Sequence, residues 1–255
     1  MFELPELIPG RVMAVHNRLA RAALAFSRQP GDITLLAVSK TYDHTAVRAT
    51  AQTGQRDFGE NYLQEALDKQ KAVANPNLVW HFIGPIQSNK TRGIAENFAW
   101  AHSVDRLKIA ERLSYQRPDG MPPLNLCIEV NISGETSKSG AAPDSVLQLA
   151  EEIASLPRVH LRGLMAIPAP SACLRQQRLA FHQVRALFNT LNARGLKLDT
   201  LSMGTSGDFE AAIAEGSTMV RIGTAIFGAR RCPAKAPNSG HPESDPSCMS
   251  KSIHR

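Results

Sequence analysis

The chain has 255 residues, 43% of them hydrophobic, with a formal net charge of +6. That is enough material for a real core and close to the roughly 250 residues of a single α/β barrel, while no apolar run approaches the roughly 18 residues of a membrane span. Half of the charge falls after Gly228, and no basic stripe interleaved with aromatics runs through the body, so nucleic-acid binding is not indicated.

In chain order, the spacing of Val12, Val15, Leu19, Ala22 and Ala23 predicts a helix over Arg11 to Arg28. "ITLLAVSK" (33–40) reads as a first strand, followed by a helix from about Asp43. "DFGEN" (57–61) is a second strand and "YLQEALDKQKAVA" a helix. "LVWHFIG" (78–84) is a third strand, with a helix around 88–97. "WAHSV" (100–104) is the fourth strand. Asp105 is the expected N-cap of the helix "RLKIAERLSYQ". "LNLCIEVNI" (124–132) is the fifth strand, and Pro143 opens the next helix, where proline is tolerated. "VHLRGLMAI" (159–167) is the sixth strand. A long helix from about 174 to Arg194 ends at Gly195, a C′ glycine. "TLSMG" (200–204), the helix "DFEAAIAEG" and "MVRIG" (219–223) complete the series.

Strict alternation implies parallel strands, because parallel neighbours need a crossover. Eight such units close a (β/α)₈ barrel with an extra N-terminal helix. A doubly wound open sheet is the alternative, but the loop after strand 1, "KTYDH", carries no dinucleotide-binding glycines. The barrel domain is expected over 1–231. The segment 232–255, rich in Pro and Ser, is expected to be a disordered tail. The opening "MFELPELIPG" does not read as a signal peptide. The four cysteines form no C-x-x-C pair, which fits a reducing cytoplasm and argues against a zinc site.

In a barrel, function sits at the C-terminal ends of the strands. Strand 1 ends at Lys40 and strand 2 at Asn61. The loops after strands 7 and 8, "SMGTSGD" and "RIGTA", are short and made of Gly, Ser and Thr. Such loops bring backbone N–H groups to an anion, and Ser206 and Thr224 add hydroxyls, so they point to a phosphate; tight turns with Asp208 as a helix cap are the plainer account. Lys40 is either a solvated lysine with its stem over apolar surface or an amine desolvated enough to attack an aldehyde. A phosphate anchor opposite such a lysine is what pyridoxal 5′-phosphate requires, and Arg221, inside strand 8, could meet its ring nitrogen. Otherwise Arg221 is one half of an ion pair. His81 reads as a satisfied core histidine, and Lys138 as a solvated loop lysine over the mouth.

The stretches "LLAVSKT", "FGENYLQEA", "WHFIGPIQSNK", "SVDRLKIAERL", "CIEVNISGETSKSG", "LRGLMAIP" and "LSMGTSGDFEAAIAEGSTMVRIGTAIFG" span 33–228 in order. In this set the chain resembles the pyridoxal phosphate homeostasis protein family, single-domain barrels of PLP fold type III related to the N-terminal domain of alanine racemase. The resemblance implies Lys40 as the Schiff-base (internal aldimine) lysine and Arg221 as the ring-nitrogen partner. It also implies Ser206, Gly223 and Thr224 as phosphate contacts, with Asn61 and Met203 lining the cofactor. Thr205 stands where the family usually has methionine.

Two readings share that cofactor. One is a non-catalytic protein that holds pyridoxal phosphate and takes part in vitamin B6 homeostasis in the cytoplasm. It would be a monomer, with apo-enzymes that use the cofactor as candidate recipients. The other is an amino-acid racemase or related enzyme of weak activity. Racemisation in the alanine racemase pattern needs two bases, and the second, a tyrosine, comes in that family from a further domain that the last 27 residues cannot form; Tyr42 is the nearby candidate. No paired carboxylates or metal-ligand cluster mark the strand ends, so no catalytic residue and no metal are assigned.

Overall fold

The computed structural model describes residues 5–134 and 139–229. The tail expected over 232–255 and Lys138 lie outside the described residues. Eight strands close into a parallel barrel in sequential order. They are β1 (Thr34–Val38), β2 (Asp57–Glu60), β3 (Val79–Phe82), β4 (Trp100–Val104), β5 (Leu124–Glu129), β6 (Val159–Ala166), β7 (Thr200–Met203) and β8 (Met219–Ile222). Ladder closure between first and last strands pairs Leu36 with Arg221 and Ala37 with Ile222.

Helices alternate with the strands: α1 (Ile8–Ala25) before β1, then α2 (His44–Ala51), α3 (Leu63–Val73), α4 (Thr91–Asn97), α5 (Leu107–Gln116), α6 (Val146–Ala154), α7 (Leu174–Ala193), α8 (Phe209–Ala214) and α9 (Thr224–Phe227). The expected order therefore holds element by element. Helix α1 starts three residues earlier than expected, because Pro9 in its first turn has no N–H that the helix would need. It ends at Ala25, and Ser27 turns left-handed with φ of 55°. Asp105 is not the cap of α5. Residue Arg106 holds the N-cap position, and the Asp105 carboxylate instead accepts two hydrogen bonds from the Arg106 guanidinium, at 2.7 and 2.8 Å. Gly195, with φ of 93°, closes α7 as expected.

Strand alternation divides the core into two layers. Leu35, Ala37, Phe58, Phe82, Ala101, Leu126, Ile128, Leu164, Leu201, Met203, Val220 and Ile222 pack outward against the helices. The inward positions run through Leu36, Val38, Gly59, His81, His102, Cys127, Met165, Ser202, Met219 and Arg221, whose register partners share a face. Barrel interiors are mostly filled by Val, Ile and Leu; this one buries two histidines, a serine and an arginine.

Candidate functional site

Lys40 keeps the inward parity of Leu36 and Val38 and stands half-buried two residues beyond the end of β1. Its neighbours in sequence are held from behind, on the outward side of the strand ends. Lys69, on α3 and only 5% exposed, donates to the Ser39 carbonyl at 2.7 Å, to Glu60 Oε1 at 2.7 Å and to Glu65 Oε1 at 2.6 Å. Ser39 Oγ donates to the same Glu60 oxygen at 2.6 Å. Glu65 Oε1 also accepts from the Thr41 N–H at 2.6 Å. Thr41 sits at φ 70°, a region that costs a β-branched residue about 1–3 kcal/mol. The knot thus fastens the residues on both sides of Lys40 and holds the strained turn after it. Glu60 is fully buried, and its carboxyl is pushed up by burial, against the pull of Lys69.

Asn61 follows Glu60 on the inward side, and its Oδ1 is buried with no hydrogen-bond partner among the described residues. Its backbone is pressed by Gly84: a Cβ there would lie 2.3 Å from the Asn61 carbonyl oxygen, so only glycine fits the loop after β3.

Across the mouth, Gly204 turns β7 into its loop with φ of 97°, and a Cβ there would meet Ala212 and Phe209. Asp208 does not cap α8 with its side chain. Its Oδ1 reaches back to accept from Thr205 N–H at 2.6 Å and Thr205 Oγ1 at 2.8 Å, closing the loop on itself. A threonine at 205 therefore supplies a hydroxyl that ties down the loop. Ser206 is half-buried, Gly223 is the N-cap of α9, and Thr224 is exposed at its first position. The structure brings Lys40, Asn61, Ser206, Gly223, Thr224 and Arg221 to one end of the barrel. Met203 is the exception. It follows the inward Ser202, so alternation turns its side chain into the outer layer, fully buried.

Arg221 is 4% exposed. Its NH1 donates to the Ser202 carbonyl and to Ser202 Oγ (2.8 Å), and NH2 donates to the Ala166 carbonyl at 2.9 Å. The second NH2 hydrogen is not used by these bonds. No carboxylate contacts the guanidinium among the described residues; burial lowers its pKa to about 10, against the more distant pull of Asp208 and Glu129. The ion pair that composition alone allows is therefore absent. Two residues were missed by sequence reasoning. Glu129, at the inward end of β5, has its carboxyl pushed by burial up to about 7, with Arg221 pulling the other way. Cys127, two residues earlier, is fully buried, its thiol pushed up to about 12 by burial. Inward parity along β5 was the available signal for both.

A parallel eight-stranded barrel with a lysine after β1, a buried arginine on β8 and glycine turns after β7 and β8 defines an alanine-racemase-type barrel. The family described as alanine racemase, N-terminal domain, matches residues 15–231. An alanine racemase structure from Corynebacterium glutamicum superposes with a TM-score of 0.67 at 17% identity, over 88% of this chain and 61% of that one, which shows the fold alone. A pyridoxal phosphate homeostasis protein from Pseudomonas aeruginosa is 60% identical over 223 residues, 88% of this chain and 96% of its own. The structure of PipY from Synechococcus elongatus with PLP bound is 35% identical, with a TM-score of 0.72, over 82% of this chain and all of that one. The chain belongs to the pyridoxal phosphate homeostasis protein family.

Removing one partner of a buried ion pair typically costs about 3–5 kcal/mol. Lys69→Met should cost that much in chemical denaturation, because Glu60 is left buried and unpaired. Adding Glu60→Gln should recover much of the loss. Equal stability of Lys69→Met and the parent would show that the knot holds nothing.

The Glu129 carboxyl holds its proton in the folded state up to about pH 7 but releases it near 4.5 when unfolded. Its contribution is therefore fully present below pH 4.5 and is lost as pH rises through 7. Glu129→Gln should flatten the fall in stability between pH 5 and 8 and raise stability at pH 8, on the order of 1–3 kcal/mol. An unchanged pH profile would place Glu129 in solvent.

Proposed function

We propose that this chain is a non-catalytic binding protein for pyridoxal 5′-phosphate that takes part in vitamin B6 homeostasis, holding the cofactor covalently on Lys40. The observation that carries the reading is that Lys40 follows β1 and Arg221 lies on β8, two strands paired in register, both with inward parity. The PLP-bound PipY structure and the name of the Pseudomonas relative support it. The residues fit the group: an amine for its aldehyde, glycine turns with Ser206, Gly223 and Thr224 for its phosphate, and a guanidinium for its ring nitrogen. The buried Asn61 Oδ1, without a hydrogen-bond partner among the described residues, would offer an acceptor. Lys40 would hold the group through its amine, and the bound cofactor would supply the aldehyde that the amine meets.

A protonated arginine would donate to the ring nitrogen, which would leave that nitrogen without a proton and the ring a weak electron sink. Tyr42 is committed elsewhere: its hydroxyl donates to the Gly228 carbonyl at 2.7 Å, and its ring stacks on Phe227 at 5.0 Å. Both features favour a holder over a racemase, and apo-enzymes that need the cofactor are the recipients this reading implies, with the protein acting as a cytoplasmic monomer. Among the described residues no helix is long and apolar enough to cross a membrane, and no cluster of metal ligands occurs. A second reading, weak proton chemistry on bound amino acids, is favoured by one feature, the Glu129 carboxyl that titrates near neutrality in the mouth.

Borohydride reduction of the protein incubated with pyridoxal phosphate, followed by peptide mapping, should place the adduct on Lys40, and Lys40→Ala should abolish it. An adduct confined to another lysine would overturn the assignment. In the same samples, solvent deuterium should not enter Cα of L- or D-alanine at rates typical of enzymes, near about 10 s⁻¹; exchange at such rates would establish the second reading.

A further inference from the structure

Five inward side chains form one unbroken path through the barrel, and the site described above uses only the last of them. Asp57, the first residue of β2, lies at the end of the barrel opposite Lys40, with its side chain 29% exposed. Its Oδ1 is 3.0 Å from His81 Nε2. His81 Nδ1 is 3.0 Å from His102 Nε2. His102 Nδ1 is 2.9 Å from Ser202 Oγ, across the barrel from β4 to β7. Ser202 Oγ is 2.8 Å from Arg221 NH1. Trp100 stacks on His81 at 5.4 Å and shields the path near its Asp57 end.

The chemistry of the ends fixes every proton between them. A carboxylate only accepts, so His81 donates from Nε2 and, being neutral, accepts at Nδ1. His102 must then donate from Nε2 and accept at Nδ1. The Ser202 hydroxyl therefore donates to His102, and its oxygen is left to accept from Arg221, which can only donate. Both rings are fully buried, and burial holds both in the neutral form; His102 is pushed further by His81 and Arg221. The bonds thus run in one direction, from guanidinium to carboxylate. Reversing any one of them would set two donors or two acceptors face to face.

We propose that Asp57, His81, His102 and Ser202 form a directed hydrogen-bond chain that fixes the orientation of Arg221 and links it to a remote counter-charge. His102 and Ser202 are thereby positioning residues of the mouth, and Asp57 acts on the mouth from the far end of the barrel. The part that concerns the cofactor rests on the function proposed above; the chain itself does not. Buried networks of this kind hold their members in place only when every partner is satisfied, and this one is satisfied link by link. It also accounts for an arginine buried without contacting a carboxylate.

The test is nitrogen-15 histidine NMR of the protein without cofactor, joined to titration with pyridoxal phosphate. Both His81 and His102 should carry their proton on Nε2 at neutral pH. A proton on Nδ1 of either ring, or a doubly protonated ring, overturns the proposal. Asp57→Leu removes the terminal acceptor at a partly exposed position. It should release both rings into mixed tautomers and weaken pyridoxal phosphate roughly 10-fold, the scale on which outer hydrogen-bond partners act. Asp57→Asn, whose amide oxygen still accepts, should restore both readouts. Unchanged tautomers and affinity in Asp57→Leu would refute the chain. If the unaltered protein binds no pyridoxal phosphate, the proposed function fails, and the tautomers still decide the chain.

Discussion

A guanidinium buried inside a barrel is the constraint on which the rest of this interior depends. Arg221 carries a charge into a space that such folds usually fill with aliphatic side chains. Leaving it unsatisfied would be costly. The structure meets the need with neutral groups: the Ser202 hydroxyl, two backbone carbonyls, and two histidines behind the serine. No carboxylate reaches it directly among the described residues, so its charge stays directed at the mouth rather than neutralised in place.

The opposite side of the mouth is built on a different principle. Lys40 is held by what surrounds its backbone, through a lysine and two glutamates on the outer face of β1, β2 and α3. That knot lies behind the strand ends, so it stiffens the turn without occupying the mouth. The glycine turns after β7 and β8 complete the rim, and Asp208 closes the first of them through Thr205. A rigid lysine, a rigid arginine and a closed loop suit a protein that holds a ligand in one pose. They supply fixed charges and donors, and the one tyrosine close to Lys40 in sequence is tied to the Gly228 carbonyl.

The architecture was legible in the sequence because βα alternation is a local pattern: most of the eight strands are short apolar runs between helical periods, and the polar "DFGEN" takes its place in that rhythm. The rim positions of Lys40 and Asn61 were legible because strand ends can be counted, and Arg221 because it interrupts the apolar strand "MVRIG". The outward turn of Met203 comes from parity, since side-chain direction alternates along a strand. Met203 and Ser202 are neighbours in "TLSMG", yet alternation sends the serine inward and the methionine outward. His81 was read as a satisfied core histidine, and it is buried. Its partners Asp57 and His102 lie on two other strands, and the link from His102 to Ser202 spans 100 positions, a separation that no motif encodes. Asp105 fits the composition of a cap, but Arg106 took its carboxylate.

If Arg221, fixed from behind, meets the ring nitrogen of pyridoxal phosphate as proposed, that nitrogen stays free of a proton. The nitrogen-15 chemical shift of ring-labelled pyridoxal phosphate bound to the protein measures this directly. The account predicts an unprotonated, hydrogen-bonded nitrogen at neutral pH by that signal, moving when Arg221 is replaced by glutamate. A pyridinium signal at neutral pH, or a shift indifferent to that replacement, would contradict it.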